Sequence, residues 1–302
     1  MTIASLAEAT RGRLLNDPSI SQIEGFSFLP KTTRRGDCYF HNGDENDLSA
    51  AITNGAFAIV FAHNVQLGDS EIAWIAVDDM NRALLSIARY LLIERNIVVF
   101  RAPKISIAIA KSVIADKRLI VNPTCQEAIE ELNRDKEFSP LFVCRENAEL
   151  LEAAIAIESL AVENALSQIK AIEETILKTT ILYEGQWISL ALPSLFLPEL
   201  SAAIAFAHRF GLQTRFDRAF ELERFKIDSI AQGERLLIYD CANEKEANEA
   251  IAFIRRVAPW AKLYIPNDRL DFPQNFTVAY LNGFSPDDLK KTAPQIPSLF
   301  GE

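Results

Sequence analysis

The sequence predicts an α/β protein, and three observations carry that reading. Short apolar runs such as 58–62 and 235–240 alternate with amphipathic stretches of helical period such as 79–90 and 245–257. Turn and cap residues stand between them, among them Asn54-Gly55, Asp78-Asp79 and Glu184-Gly185. Composition is that of a globular chain: 49% of residues are hydrophobic and 24% are charged. The 302 residues suffice for two or three modest domains with buried cores.

The formal charge of −10 argues against a broad nucleic-acid or anionic-membrane surface. Cys38, Cys125, Cys144 and Cys241 are scattered, with no C-x-x-C pair, and read as reduced thiols. With only three histidines beside them, no metal site is expected. The opening residues lack an apolar signal core, and no apolar run reaches membrane-spanning length. A cytoplasmic protein is the expectation.

In chain order, a first helix is expected over 3–15, with Ser5 as its cap. An extended segment, Ile23-Glu24-Gly25-Phe26-Ser27, runs to the turn at Arg34-Arg35-Gly36-Asp37 and a strand at 38–40. A helix closed by Asn54-Gly55, strands at 58–62 and 72–77, and a helix opened by Asp78-Asp79 follow. Next come a strand at 96–100, the segment Arg101-Ala102-Pro103-Lys104-Ile105-Ser106 and a helix at 107–115. Two further βα steps occupy 119–143.

Residues 149–178 contain neither glycine nor proline, and Ile155, Val162, Ile169 and Ile176 recur every seven positions. The spacing predicts a long helix. It either packs on the domain core, broken once into two, or offers an apolar seam to a partner or a second copy. A hairpin over 181–190 leads into an alanine-rich helix ending near Gly211, where His208 reads as a partly covered residue rather than a ligand. The last part alternates a strand at 235–240, a helix at 245–257, strands at 262–265 and 276–281, and a closing helix at 285–292.

Several of these stretches, in this order, resemble the Mur ligases, the ATP-dependent enzymes that add amino acids to the peptidoglycan precursor. Ile23 to Ser27 fits the family's I-x-G-x-S strand, and Arg224, Asp240 and Asn243 match the arginine and the D-D-x-Y-N junction that open its C-terminal domain. The Asp240–Asn243 junction places the resemblance nearest to the D-Ala-D-Ala-adding MurF type. It implies a Mur-ligase-like N-terminal α/β domain over 1–97, a reduced central parallel α/β domain with the long helix over 98–212, and a small Rossmann-like C-terminal domain over 213–302.

Within the junction Tyr239 and Ala242 replace the family's first aspartate and its tyrosine, and Glu244, Lys245 and Glu246 its closing Ala-Asn-Pro; the other departures fall on the residues that hold nucleotides. The family's uridine-contacting Asp-Ser-Arg is replaced by Leu29, Pro30 and Lys31, which cannot make the same hydrogen bonds. Its glycine-rich diphosphate loop has shrunk to 41–47, where Asp44, Glu45 and Asp47 would repel a phosphate. The family's ATP loop falls at 101–106, which has no glycine, while Pro103 removes a backbone donor. There Lys104 stands near the phosphate lysine and Ser106 near the magnesium-binding hydroxyl; the plain alternative for Lys104 is a surface lysine at a helix start. The family's nucleotide-contacting His-Asn pair falls among Leu195, Phe196 and Leu197.

A protein-interaction module built on the 149–178 helix is one reading of the residues themselves, and two more follow from the resemblance. One is a non-catalytic homologue with no catalytic residues and no cofactor, binding a cell-wall-synthesis protein or self-associating through 149–178. The other is an active ligase using ATP and magnesium, with Lys104, Ser106, Arg224, Asp240 and Asn243 as its remaining shell. Asp240 and Asn243 serve equally well as turn and cap residues.

Overall fold

A computed structural model describes residues 1–135, 137–160, 169–230, 235–267, 269–270, 272–273 and 275–292. In chain order the first elements are α1 (Ile3–Thr10), β1 (Arg13–Leu14), β2 (Gly25–Ser27), β3 (Asp37–His41), α2 (Glu45–Thr53), β4 (Ala58–Phe61), β5 (Ala73–Ala76) and α3 (Met80–Glu94). Then come β6 (Val99–Arg101), α4 (Lys104–Val113), β7 (Leu119–Val121), α5 (Cys125–Arg134), β8 (Leu141–Cys144), α6 (Glu149–Ala153) and β9 (Ile157–Ser159). The remainder is β10 (Lys170–Glu174), β11 (Thr179–Tyr183), β12 (Gln186–Leu190), α7 (Leu197–Arg209), β13 (Lys226–Ile230), β14 (Arg235–Asp240), α8 (Glu244–Val257), β15 (Leu263–Tyr264), β16 (Val278–Asn282) and α9 (Pro286–Thr292). The chain is α/β, as its alternation predicts.

It divides into two compact units: residues 1–102 with 117–159, and residues 103–116 with 160–302. The segment 98–212, expected as a central domain, is thus shared between the units. The reason lies in the first unit's core. Its five-stranded sheet, ordered β1-β5-β4-β3-β2, and its four-stranded parallel sheet, β7-β8-β6-β9, are filled by the same helices. Helix α3 touches α1, α5 and α6, and one apolar cluster runs from Leu6 and Val60 through Ile87 and Leu132 to Phe142. Strands β3 and β4 are buried at every residue, as parallel strands covered on both faces must be. Strand β2 is the sheet edge, and Asn133 closes it. The side-chain amide donates to Phe26 O at 3.0 Å and accepts from Phe26 N at 3.2 Å, the two bonds another strand would make. Gly25 permits this approach, since a Cβ there would lie 2.7 Å from both Asn133 Oδ1 and Asp37 Oδ1.

In the second unit, α4 packs on α7, whose Ala202, Ala203 and Ala207 are buried. Strands β10, β11 and β12 form an antiparallel sheet, and the β11–β12 turn uses positive φ at both Glu184 (49°) and Gly185 (79°), the two-residue hairpin geometry. The last sheet is ordered β13-β14-β16-β15, parallel except for β13.

Three further expectations are corrected. The first helix, expected over 3–15, ends at Thr10 with Arg11 in the left-handed conformation, and 13–14 form β1. The cap of α1 is Thr2, whose hydroxyl accepts from Ser5 N, rather than Ser5 itself. The long helix over 149–178 does not form among the described residues, which hold α6, β9 and β10; 161–168, including Val162, lie outside them. The seven-residue spacing does not mark one face: Ile155 is 70% exposed, whereas Ile169 and Ile176 are buried. Residues 170–174 instead pair with β11, where β-branched and alternating side chains are well placed.

Candidate functional site

The polar cluster of the second unit is built on the β14-to-α8 junction. Strand β14 runs parallel to β16 and ends at Asp240, the position where open α/β sheets gather ligand contacts. The chain then turns through Cys241 and Ala242 to Asn243, which opens α8 with a reciprocal capping box. Asn243 Oδ1 accepts from Glu246 N, and Glu246 Oε2 accepts from Asn243 N, both at 3.0 Å.

Arg224 ties this turn together. Its Nε donates to Asp240 Oδ1 at 3.0 Å and its Nη2 to Asp240 Oδ2 at 3.3 Å, while Nη1 meets Glu246 Oε1 at 2.6 Å. The Asp240 side chain is wholly buried, and Arg224 is 15% exposed. Asp240 also accepts from Cys241 N at 2.8 Å and from the Tyr280 hydroxyl at 2.7 Å. A carboxylate offers about four lone-pair sites. All are used here, and burial together with the Asp240 carboxylate pushes the Tyr280 phenol upward.

Phe225, next to Arg224, takes a left-handed φ of 53°, unusual for a bulky residue. It is buried, and the rings of Phe196, Phe253 and Tyr280 surround it with centroids at 6.1, 5.8 and 6.4 Å. The aromatic packing holds a backbone conformation that only well-supported positions keep. Glu199, on α7, joins electrostatically: Arg224, Glu246 and Glu249 all act on it, and burial raises its carboxyl above the ordinary value. Its Oε2 is enclosed without a hydrogen-bond partner.

The structure therefore unites Arg224, Asp240 and Asn243 in one network through Glu246. It does not bring Lys104 and Ser106 into it. Helix α4 begins at Lys104 itself, with Pro103 as a cap that makes no side-chain hydrogen bond. The segment read as a loop up to Ser106 is thus already helix, and too little chain is left to wrap a phosphate. Lys104 Nζ pairs with Glu223 Oε2 at 3.2 Å, both side chains being more than half exposed. Ser106 is fully buried and its hydroxyl is enclosed without a partner, so it cannot reach a phosphate-bound cation. Among the described residues, no group of His, Cys, Asp and Glu is placed to hold a metal ion. These residues do not fit ATP with magnesium in the family's manner.

In the first unit, Pro30–Thr32 form a 3-10 turn where the uridine-contacting residues would stand, and Asp44 caps α2. Beside that turn lies a partly open cavity of 340 Å³, lined by Ser27, Thr32, Arg34, Arg35 and Asp37 among others. Burial raises the Asp37 carboxyl, against the Arg34 N–H that it accepts at 2.8 Å.

Sequence reasoning missed Glu246, Tyr280, Phe225 and Glu199. For Glu246 a signal was present, since Asn243 followed three residues on by a glutamate is capping-box spacing. Tyr280 has none, because only the β14–β16 pairing brings it to Asp240.

No protein-family model matches the chain, and no curated protein matches it. Solved structures similar to it include MurF from Acinetobacter baumannii, at 15% identity and a TM-score of 0.42 over 83% of this chain and 76% of that one. Another is the MurF ligase from Thermotoga maritima in complex with ADP, at 13% identity and a TM-score of 0.43, covering 92% and 83%. A third is a UDP-N-acetylmuramoyl-L-alanyl-D-glutamate–2,6-diaminopimelate ligase, at 12% identity and a TM-score of 0.36, covering 100% and 92%. At such identities and TM-scores the likeness carries no argument about ligands or chemistry. Among the described residues no helix is long and apolar enough to cross a membrane.

Proposed function

We propose that the chain is a Mur-ligase-like protein of the cytoplasmic peptidoglycan pathway that acts by binding rather than by forming amide bonds. The start of α4 at Lys104 carries this reading. An ATP-dependent ligase must cradle a triphosphate on inward-pointing backbone N–H groups and neutralise it with a metal. Here the helix leaves no such cradle, its lysine is paired with Glu223, and its serine is enclosed. The matching residues at the second junction, Arg224, Asp240 and Asn243, have their hydrogen bonds spent on one another and on Glu246 and Tyr280. What remains for recognition is the first unit, where the exposed Arg34 and Arg35 stand with Glu24, Asp37 and Glu130 around the 340 Å³ cavity and suit a polar precursor fragment that carries both donors and acceptors.

Thermal melting of the intact protein, with and without ligand, tests this. Ligand at about a hundred times its dissociation constant stabilises by about 2.7 kcal/mol. A rise in Tm is expected with a muramyl peptide fragment that lacks the nucleotide or with a cell-wall-synthesis partner, and none with Mg-ATP. Amide-bond formation with ATP turnover on any muramyl peptide would overturn the proposal.

A further inference from the structure

The antiparallel sheet of the second unit ends on β12, Gln186-Trp187-Ile188-Ser189-Leu190. It pairs with β11 and, among the described residues, has no strand on its other side. A free strand edge is a template for another strand, and proteins guard such edges with charges, prolines or bulges. The opposite edge of this sheet is guarded: β10 carries Lys170, Glu173 and Glu174 and shifts register between Ala171 and Glu173. Edge strand β13 carries Lys226 and Asp228, and Asn133 closes β2. Strand β12 has none of these devices over five residues in unbroken register.

The hairpin fixes which groups β12 offers. Tyr183 and Gln186 flank the two-residue turn and so form a hydrogen-bonded pair, and bonded pairs alternate along the ladder to Ile181–Ile188 and Thr179–Leu190. The N–H and C=O groups of Trp187 and Ser189 therefore point away from β11. Both residues are exposed, and among the described residues these groups have no backbone partner. Trp187 is 72% exposed, a large apolar side chain left in water on a bare edge.

We propose that β12 pairs antiparallel with β12 of a second copy of this chain, joining the two hairpin sheets into one. A two-fold axis at Ile188 sets Trp187 opposite Ser189 of the second copy, and the two Ile188 residues face to face. The residues whose backbone groups point outward are then the ones that meet, and each such pair exchanges both of its N–H···O bonds. Each indole lies beside a small serine instead of another ring. No charged side chains are opposed, although the chain as a whole carries a formal charge of −10. An unrelated peptide would find the same backbone groups but no charge to select it, whereas the strand supplies the match of large to small residue to itself. This proposal stands apart from the proposed function, and its test uses no ligand.

Sedimentation equilibrium of the intact protein, over a dilution series from about 1 mM to about 1 μM, tests it. The mass should reach twice that of the chain at the concentrated end. Trp187→Lys brings like charges together across the two-fold axis and should weaken association at least about tenfold. Its far-UV circular dichroism should not change, because the side chain is exposed. Ser189→Pro removes an outward donor that β11 does not use and gives a second disrupting variant. Adding Ser189→Glu to Trp187→Lys sets each introduced ammonium opposite a carboxylate and should recover most of the lost affinity. A single-chain mass throughout, assemblies larger than two copies, association undiminished in either single variant, or no recovery in the double variant would each overturn the proposal.

Discussion

Two strand-to-helix junctions of this chain invite comparison, one at Arg101 to Ser106 and one at Asp240 to Asn243. Both are places where α/β proteins hold phosphates or substrates. The first is poor in local bonds: Pro103 offers no side-chain cap, and Lys104 answers Glu223 in solvent. The second is saturated, with an arginine, a tyrosine and a backbone N–H on one buried carboxylate and a capping box closing the helix. The difference teaches that residues matching a ligand motif can have the fold itself as their task, since Arg224, Asp240 and Asn243 are held by one another, Glu246 and Tyr280. Lys104 and Ser106 have no such second task in common, and they stand apart.

Substitutions at the two junctions should therefore differ in cost. Asp240→Ala leaves the Tyr280 hydroxyl without its acceptor and Arg224 held by Glu246 alone, and should destabilise by about 3–5 kcal/mol in urea unfolding. A loss below about 1 kcal/mol would show that the network is no clamp. Tyr280→Phe removes one hydrogen bond to a charged acceptor and should cost about 1.5–3 kcal/mol. Asn243→Ala opens the capping box, for about 1 kcal/mol. Lys104→Ala deletes an exposed pair and should change stability by less than about 1 kcal/mol; a larger loss would mean that the first junction is built as firmly as the second.

A fifth prediction concerns sign rather than size. The Glu199 carboxyl is raised by burial, so the unfolded chain ionises first and the wild type loses stability as pH rises from the ordinary value of 4.5 toward the folded one. Glu199→Gln removes that loss. Its stability relative to wild type should climb across this window in thermal melts at a series of pH values, and a flat difference would contradict the assignment.

Much of the fold was legible because local signals agreed. Helix α5, Cys125–Arg134, falls within the βα steps expected over 119–143, with Thr124 and Glu127 forming its capping box. Strand β14 likewise runs from Arg235 to Asp240, an apolar run ended by turn residues. The stretch 149–178 was misleading because a seven-residue spacing carries no information about sheet partners: Ile155, Ile169 and Ile176 lie outside the strands, and pairing with β11 decided the outcome for 170–174. Strand β13 was missed, its alternating but mostly exposed residues giving little apolar signal. At the site, Arg224, Asp240 and Asn243 were legible through their resemblance to a known junction, and Glu246 through helix spacing. Tyr280 and Phe225 depend on sheet pairing and aromatic packing between distant segments, which no local pattern encodes.

The central claim is that the 101–106 junction does not receive a nucleotide. Calorimetric titration of Mg-ATP into the intact protein, repeated with Lys104→Ala, measures this directly. The account predicts no saturable heat in either protein. Saturable binding by the wild type that disappears in Lys104→Ala would contradict it.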